Sequence, residues 1–333
     1  MFALFKKAKT ELKAVFLAPS GQEFPIAGKQ TILEAALAAG VEFPHNCRVG
    51  SCTQCKCRLI EGDVRELSDT SYVLTAEEIK NRYVLACQTL AKSSAVRVEL
   101  DATARAKNAA TIVSITALTG DIVSLRLSLA TPITYRAGQY ALLHVPGLAQ
   151  ARAYSFADTK SGHTSDVEFH VRRVRDGQAS TWLTSAANTN AALTLSGPFG
   201  DFGHTLESTP IVAVAGGSGL GAIYAILREK ADKGHWNPVV FFYGARNADE
   251  LFYEAQLDAL RQRWQAPFAF VPIVSGLVTE QLTPDLWART GTSQRLSDCH
   301  ALLCGAPGMI DAAVGRLTML GIKPENIAFD KFV

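Results

Sequence analysis

The chain of 333 residues has a formal net charge of +2, with 48% apolar and 19% charged residues. That is an ordinary globular balance, and it excludes a broad basic face for nucleic acid or an acidic interaction tail. No apolar stretch reaches the ~18 residues of a bilayer span, and Met1-Phe2-Ala3-Leu4-Phe5-Lys6-Lys7 is too poor in apolar residues for a secretory signal.

A chain of this length holds two or three domains, and the first reads from about Glu11 to Leu100. Leu12 to Leu17 and Gln22 to Ile26 alternate as a hairpin around Ser20-Gly21. Thr31 caps a helix through Ala39, with Glu34 as its capping-box partner and Gly40 as its stop. A strand from Lys56 to Glu61, a turn at Gly62-Asp63 and a short helix near Ala76 to Arg82 follow, and Val96 to Leu100 closes the sheet. The pattern is a β-grasp, one helix across a mixed sheet.

Within this unit Cys47, Cys52, Cys55 and Cys87 fall as C-x4-C-x2-C and a distant C. That is the ligand spacing of a plant-type [2Fe–2S] cluster. The alternatives are a zinc site, which usually presents two close cysteine pairs, or free thiols. Small residues in Arg48-Val49-Gly50-Ser51 let backbone N–H groups turn toward cluster sulfurs. Cys57, Cys299 and Cys304 remain; an odd set of free thiols argues for a reducing compartment, the cytoplasm.

Asp101 to Ala110 reads as a linker. Six short strands follow: Thr111 to Thr116, Ile122 to Leu129, Tyr140 to Val145, Arg152 to Ala157, Val167 to Val174 and Ala192 to Leu195. One helix, near Ser180 to Ala187, interrupts them, which predicts a closed antiparallel barrel. On one strand, Arg152 offers a planar fork for a pyrophosphate, Tyr154 a flat ring for an isoalloxazine, and Ser155 a hydroxyl for the flavin ring. Gly177-Gln178-Ala179-Ser180 adds N–H groups and a hydroxyl at a helix start, which favours phosphate. Taken singly, each of these words also suits an ordinary strand or turn.

After Pro210 strands and helices alternate, as in a parallel sheet covered on both faces. Strands are expected at Ile211 to Ala215, Val239 to Tyr243, Ala269 to Val274 and His300 to Cys304, and helices at Ala222 to Lys233 and Glu250 to Trp264. Gly216-Gly217-Ser218-Gly219-Leu220-Gly221 sits between the first strand and helix, where a glycine turn presents N–H groups to a pyrophosphate; a plain tight turn is the alternative. No acidic residue ends the next strand, so the usual ribose carboxylate is missing. Cys304-Gly305-Ala306-Pro307 ends an apolar strand, where a small thiol fits beside a nicotinamide; a buried core cysteine is the alternative.

Together and in this order, these motifs resemble the ferredoxin–NAD(P)+ reductase superfamily with an amino-terminal [2Fe–2S] domain. The chain looks most like the NADH-dependent reductase components of bacterial multicomponent oxygenases. The resemblance implies a ferredoxin domain over 1–102, an FAD-binding barrel over 109–206 and an NAD-binding α/β domain over 207–333. It implies cluster ligands Cys47, Cys52, Cys55 and Cys87, flavin contacts Arg152, Tyr154 and Ser155, and a phosphate word at Gly177 and Ser180. It also implies nicotinamide-nucleotide contacts at Gly216, Gly217, Ser218, Gly219, Cys304 and Gly305, with Ser155 and Cys304 nearest the chemistry.

Two departures stand out. Thr53 replaces the usual glycine, and the terminal Phe329-Asp330-Lys331-Phe332-Val333 lacks the terminal tyrosine of the plant reductases, leaving Phe332 to shield flavin or to pack in the core. The implied activity passes electrons from NADH through FAD and the cluster to an oxygenase component or its ferredoxin, for hydroxylation of an aromatic or similar compound. A deoxysugar dehydratase as client, or a redox-sensing module without turnover, are the other readings. Arg246 favours a 2′-phosphate while Asp249 and Glu250 oppose it, and the balance favours NADH.

Overall fold

The computed structural model describes residues 13–41, 43–45, 48–50, 53–68, 70, 74, 76–100, 107–148, 150–160, 162–203 and 209–332. The chain divides into two compact units, residues 1–106 and 107–333.

In the first unit β1 (Lys13–Ala18) pairs antiparallel with β2 (Gln22–Ile26), and alternation sends Val15, Leu17, Phe24 and Ile26 into one core. α1 (Ile32–Ala38) buries Ile32, Leu33, Ala35 and Ala36 in that core. Its start is the expected capping box. Thr31 Oγ1 accepts the Glu34 N–H at 3.2 Å, and the Glu34 carboxylate accepts the Thr31 N–H at 2.8 Å. The remaining elements are β3 (Lys56–Glu61), β4 (Val64–Glu66), α2 (Ala76–Lys80), β5 (Tyr83–Leu85), β6 (Thr89–Ala91) and β7 (Ala95–Leu100). β4 and β6 form a ribbon, and the main sheet runs β2-β1-β7-β3-β5. Its last strand in sequence is its middle strand in space. β7 pairs parallel with β1 and antiparallel with β3, and its alternate residues Val96, Val98 and Leu100 supply the buried face that a central position demands.

The second unit opens with a six-stranded antiparallel sheet of β8 (Asn108–Ala117), β9 (Ile122–Ile133), β10 (Tyr140–His144), β11 (Arg152–Ser155), β12 (Thr164–Arg172) and β13 (Ala192–Phe199). The order is β11-β10-β13-β8-β9-β12, and an antiparallel bridge from Phe156 to Phe169 joins the two edges into a barrel. α3 (Gln178–Leu183) lies between β12 and β13. The expected linker is shorter than its composition implied, because β8 begins at Asn108. Residues 108–110 pair with β13, and the Asn108 amide makes a reciprocal pair of hydrogen bonds with the Thr131 backbone.

The unit continues as β14 (Ile211–Gly216), α4 (Gly219–Asp232), β15 (Val239–Ala245), α5 (Glu254–Arg263), β16 (Phe268–Val274), α6 (Val278–Gln281), β17 (His300–Gly305), α7 (Pro307–Met319) and β18 (Ile327–Lys331). The five strands are all parallel, in the order β16-β15-β14-β17-β18. Both faces are covered: Ile211, Ala213, Phe241 and Tyr243 face one core, and Val212, Val214, Val240 and Phe242 the other. α4 begins at Gly219, three residues before its expected start, so two glycines of the turn belong to the first turn of the helix. α7 and β18 went unread in the sequence, although Pro307 at the first helical position is a start signal. Among the described residues no helix is long and apolar enough to cross a membrane.

Candidate active site

In the first unit the pairing of β3 with β5 sets Lys56 opposite Leu85, so Cys55 and Cys87 flank the same end of the ladder. The Ala86 N–H donates to the Cys55 carbonyl at 3.0 Å, and the Cys87 N–H donates to Cys55 Sγ at 3.4 Å. Both thiols are buried. The Gln88 amide nitrogen lies 3.9 Å from Cys87 Sγ, and its carbonyl oxygen accepts the Ser68 hydroxyl at 3.1 Å. Two adjacent sulfurs with N–H donors directed at them fit thiolates that share a cluster. Cys47 and Cys52 lie outside the described residues. Thr53 takes φ +57°, a conformation glycine adopts freely, so the departure from the family's glycine places a β-branched residue under ~1–3 kcal/mol of backbone strain. Cys57 is a core thiol, pushed up to about 12 by burial and by Cys87.

On the barrel, Arg152 is exposed and, among the described residues, makes no ion pair; its guanidinium reaches only the Gln150 side chain and the Gln150 and Ala151 carbonyls. Such a cation is open to a phosphate. Tyr154 is half-buried against the barrel core. The Ser180 hydroxyl is already engaged: it accepts the Val174 N–H at 3.1 Å and donates to the Gly177 carbonyl at 3.1 Å. A Cβ on Gly177 would come within 2.7 Å of Ser180 Oγ, so the two residues lock one turn. The first N–H groups of α3 are left without intrahelical acceptors.

Ser155 reaches further. Its hydroxyl donates to Asp330 Oδ2 on β18 at 2.7 Å. Asp330 pairs in register with Cys304 on β17, and Cys304 lies beside Ala215 at the end of β14. The barrel strand is thereby tied to the carboxyl edge of the parallel sheet, where α/β folds bind ligands. Burial pushes the Asp330 carboxyl up, and the Ser155 hydrogen bond draws it partly back. Cys304 is wholly buried; burial first, then the charge of Asp330, holds its thiol well above the ordinary range, so it stays protonated at neutral pH. Phe332 packs half-buried against the core containing Cys304, and its N–H donates to the Gly305 carbonyl at 2.9 Å.

The glycine turn follows β14. Gly217 sits at φ +56°, and a Cβ there would lie 2.6 Å from the Arg172 guanidinium. A Cβ on Gly219 would lie 2.3 Å from the Cys304 carbonyl, so only glycine lets α4 start against β17. Two sets of polar contacts here escaped the sequence reading, which named Arg246 and Glu250 but not their partners across the fold. Arg172 and Asp121 from the barrel meet Arg246 and Glu250 from the sheet. Buried His170, with Glu168, meets Tyr253: His170 Nε2 lies 3.0 Å from the Tyr253 hydroxyl, which donates to Glu168 Oε1 at 3.0 Å. The available signal for Asp330 was a carboxylate directly after the apolar run Ile327-Ala328-Phe329 of the C-terminal strand.

A 2Fe-2S iron-sulfur cluster binding domain model matches residues 15–92, an oxidoreductase FAD-binding domain model residues 109–204, and an oxidoreductase NAD-binding domain model residues 213–315. The chain is 34% identical to the xylene/toluene monooxygenase electron transfer component XylA of Pseudomonas putida, over 94% of this chain and 91% of that one. The chain belongs to the reductase components of multicomponent oxygenases. The fold agrees. The crystal structure of the Amycolatopsis cytochrome P450 reductase GcoB matches with a TM-score of 0.66 and 27% identity, over 96% of this chain and 98% of that one. A ferredoxin reductase in carbazole 1,9a-dioxygenase matches with a TM-score of 0.63 and 25% identity, over 98% and 99%. This reductase is therefore an oxidoreductase with segments for a [2Fe–2S] cluster, FAD and a nicotinamide dinucleotide.

Proposed function

We propose that this reductase takes electrons from NADH and delivers them, in the cytoplasm, to an oxygenase component or its ferredoxin that hydroxylates an aromatic or similar compound. The reading assigns residues 1–102 to the iron–sulfur segment, 109–206 to the flavin barrel and 207–333 to the nucleotide segment. The observation that carries it is the Ser155–Asp330 hydrogen bond, which brings the flavin-binding strand to the same sheet edge as the glycine turn and Cys304.

When bound, the flavin supplies acceptance of a hydride and release of single electrons, and the cluster supplies one-electron carriage. The chain's own residues hold and order these groups. Cys47, Cys52, Cys55 and Cys87 ligate iron. Arg152, with the turn locked by Gly177 and Ser180, neutralises phosphate, while Tyr154 offers a ring face. Gly216, Gly217, Ser218 and Gly219 turn N–H groups toward the dinucleotide. Asp330 fixes the Ser155 hydroxyl, while the neutral thiol of Cys304 and the backbone of Gly305 shape the nicotinamide side without adding charge. Phe332 keeps water from that edge. Buried thiols at Cys57, Cys299 and Cys304 suit a reducing compartment.

An anaerobic titration with NADH, followed by absorbance and spin resonance, tests the reading. Bleaching of flavin, together with the signal of a reduced [2Fe–2S] centre, is the expected result. A chain that holds iron and flavin yet stays fully oxidised under excess NADH refutes it.

A further inference from the structure

The rim of the glycine turn holds four charged groups from two parts of the chain. Asp121 stands in the bend that opens β9 of the barrel, and Arg246 directly follows the last residue of β15. Asp121 Oδ2 accepts from Arg246 Nη2 at 2.8 Å and lies 3.4 Å from Arg172 Nε. Glu250 Oε1 lies 2.6 Å from Arg246 Nη2, while Glu250 Oε2 accepts the Arg246 backbone N–H at 3.3 Å and lies 3.9 Å from Arg172 Nη2. Arg172 in turn abuts Gly217, as the close approach of a Cβ there shows. The cluster therefore borders the turn, and its two guanidiniums and two carboxylates sum to zero charge.

In a sheet of this kind the residue just past the second strand faces the adenosine ribose. A carboxylate there accepts the ribose hydroxyls of NAD, whereas an arginine receives the 2′-phosphate of NADP. By sequence alone, Arg246 favours a 2′-phosphate while Asp249 and Glu250 oppose it, and the balance favours NADH. The structure gives that balance a second, non-local source, because Arg246 Nη2 is paired with both Glu250 and Asp121. Glu250 is local, four residues on. Asp121 comes from the other half of the unit, and its position is fixed: its Oδ1 accepts the Thr119 hydroxyl at 3.1 Å and its carbonyl accepts the Arg173 N–H at 2.7 Å. A phosphate approaching Arg246 meets these carboxylates at close range, and like charges repel.

We propose that Asp121, a barrel residue, sets the preference for NADH over NADPH by holding Arg246 in an ion pair between the barrel and the parallel sheet of the second unit. The inference rests on the reading of Gly216 to Gly221 as the dinucleotide turn. It assigns a specificity role to a residue outside the nucleotide segment, and it makes the selectivity a property of how barrel and sheet pack.

Asp121→Asn removes the charge and retains an acceptor for Thr119, so it isolates the electrostatic effect. Calorimetry on the holoenzyme with two fragments, 2′,5′-ADP and 5′-AMP, reads the site without turnover. In the variant 2′,5′-ADP should bind about five- to tenfold tighter, with 5′-AMP changed less than about twofold. The ratio of kcat/KM for NADPH to that for NADH should rise by a similar factor. Asp121→Ser should repeat the gain, and Asp121→Asn combined with Arg246→Ala should abolish it. The inference is overturned if 5′-AMP binds normally and neither Asp121 variant gains affinity for 2′,5′-ADP. A gain that persists without Arg246 overturns it as well, since the effect then comes from the general field. A parent protein that binds neither fragment instead refutes the nucleotide-turn reading underneath.

Discussion

Cys55 and Cys87 are brought together by one pair of strands, whereas Ser155 and Asp330 meet only because a barrel and a parallel sheet pack against each other. In the first region the polypeptide's own ladder positions the sulfurs, and a backbone N–H of one cysteine reaches the thiol of the other. In the second, hydroxyl, carboxylate, guanidinium and imidazole groups join positions 83, 125 and 175 residues apart, as in His170–Tyr253, Asp121–Arg246 and Ser155–Asp330. The proposed iron site is specified by the spacing of its cysteines. The edge proposed for flavin and nicotinamide is specified by an interface. Damage to the first should therefore be local and complete, and damage to the second graded and shared between partners.

The largest effect tests that separation. Cys87→Ser removes a proposed ligand sulfur from one end of the ladder, so the [2Fe–2S] spin signal and NADH-driven reduction of cytochrome c should both fall to background. Oxidation of NADH by ferricyanide, which needs only the second unit, should persist. Cytochrome c reduction that survives in iron-free protein would erase the distinction between the regions.

Next come the partners at the sheet edge. Ser155→Ala and Asp330→Asn should each slow anaerobic flavin reduction by about 10²-fold in stopped flow, and the double variant should be little worse than either single one. Full additivity would mean that the bond between them does not matter. Asp330 also has a pH signature. Its carboxyl is raised in the folded chain, chiefly by burial, so its contribution is fully present below the ordinary aspartate range and is lost as pH rises through the folded value. Asparagine has no such loss. The stability of Asp330→Asn relative to the parent should therefore improve in the alkaline direction, as read by urea unfolding.

The same contrast explains what could be read from sequence. Thr31, Glu34 and the four cysteine positions act through local spacing, and the alternation of Val15, Leu17, Phe24 and Ile26 reports a sheet face directly. The barrel and parallel sheet were legible for a similar reason, since β12 and β14 each carry their own pattern. Asp121, Glu168, His170 and Tyr253 carry no local pattern that names a partner across the fold. Asp330 was hidden further by the unread strand β18, and Val96 to Leu100 looked terminal because sequence order does not reveal that β7 serves two neighbours.

Glu168 provides a third, smaller test at the packed interface. Burial raises its carboxyl, but the His170 ring 3.6 Å away and hydrogen bonds from Ser124 and Tyr253 outweigh that and lower it to about 2. The folded value is depressed, so the stabilisation is present above the ordinary glutamate value of 4.5 and is lost as pH falls toward 2. With solvent screening of the partly exposed carboxylate allowed for, this amounts to about 2 kcal/mol. Glu168→Gln should unfold more easily than the parent at pH 7, and the gap should close through that acid window. A gap independent of pH would assign the loss to packing rather than charge.

The smallest effect is the sharpest control on the comparison. Thr31→Ala deletes one half of the capping box at the start of α1, leaving the Glu34 N–H without its side-chain acceptor while the buried residues Ile32, Leu33, Ala35 and Ala36 stay in place. Loss of such a cap costs about 1 kcal/mol. Because the cap belongs wholly to the first unit, the cost should appear as a lower melting temperature of the iron–sulfur unit, read by loss of the visible cluster spectrum on heating. The rate of flavin reduction by NADH should be unchanged within error, since the FAD-binding and NAD-binding domain matches both lie beyond residue 107. A Thr31→Ala variant that slowed flavin reduction would show that the two regions are not energetically separate, whatever their contrast in construction.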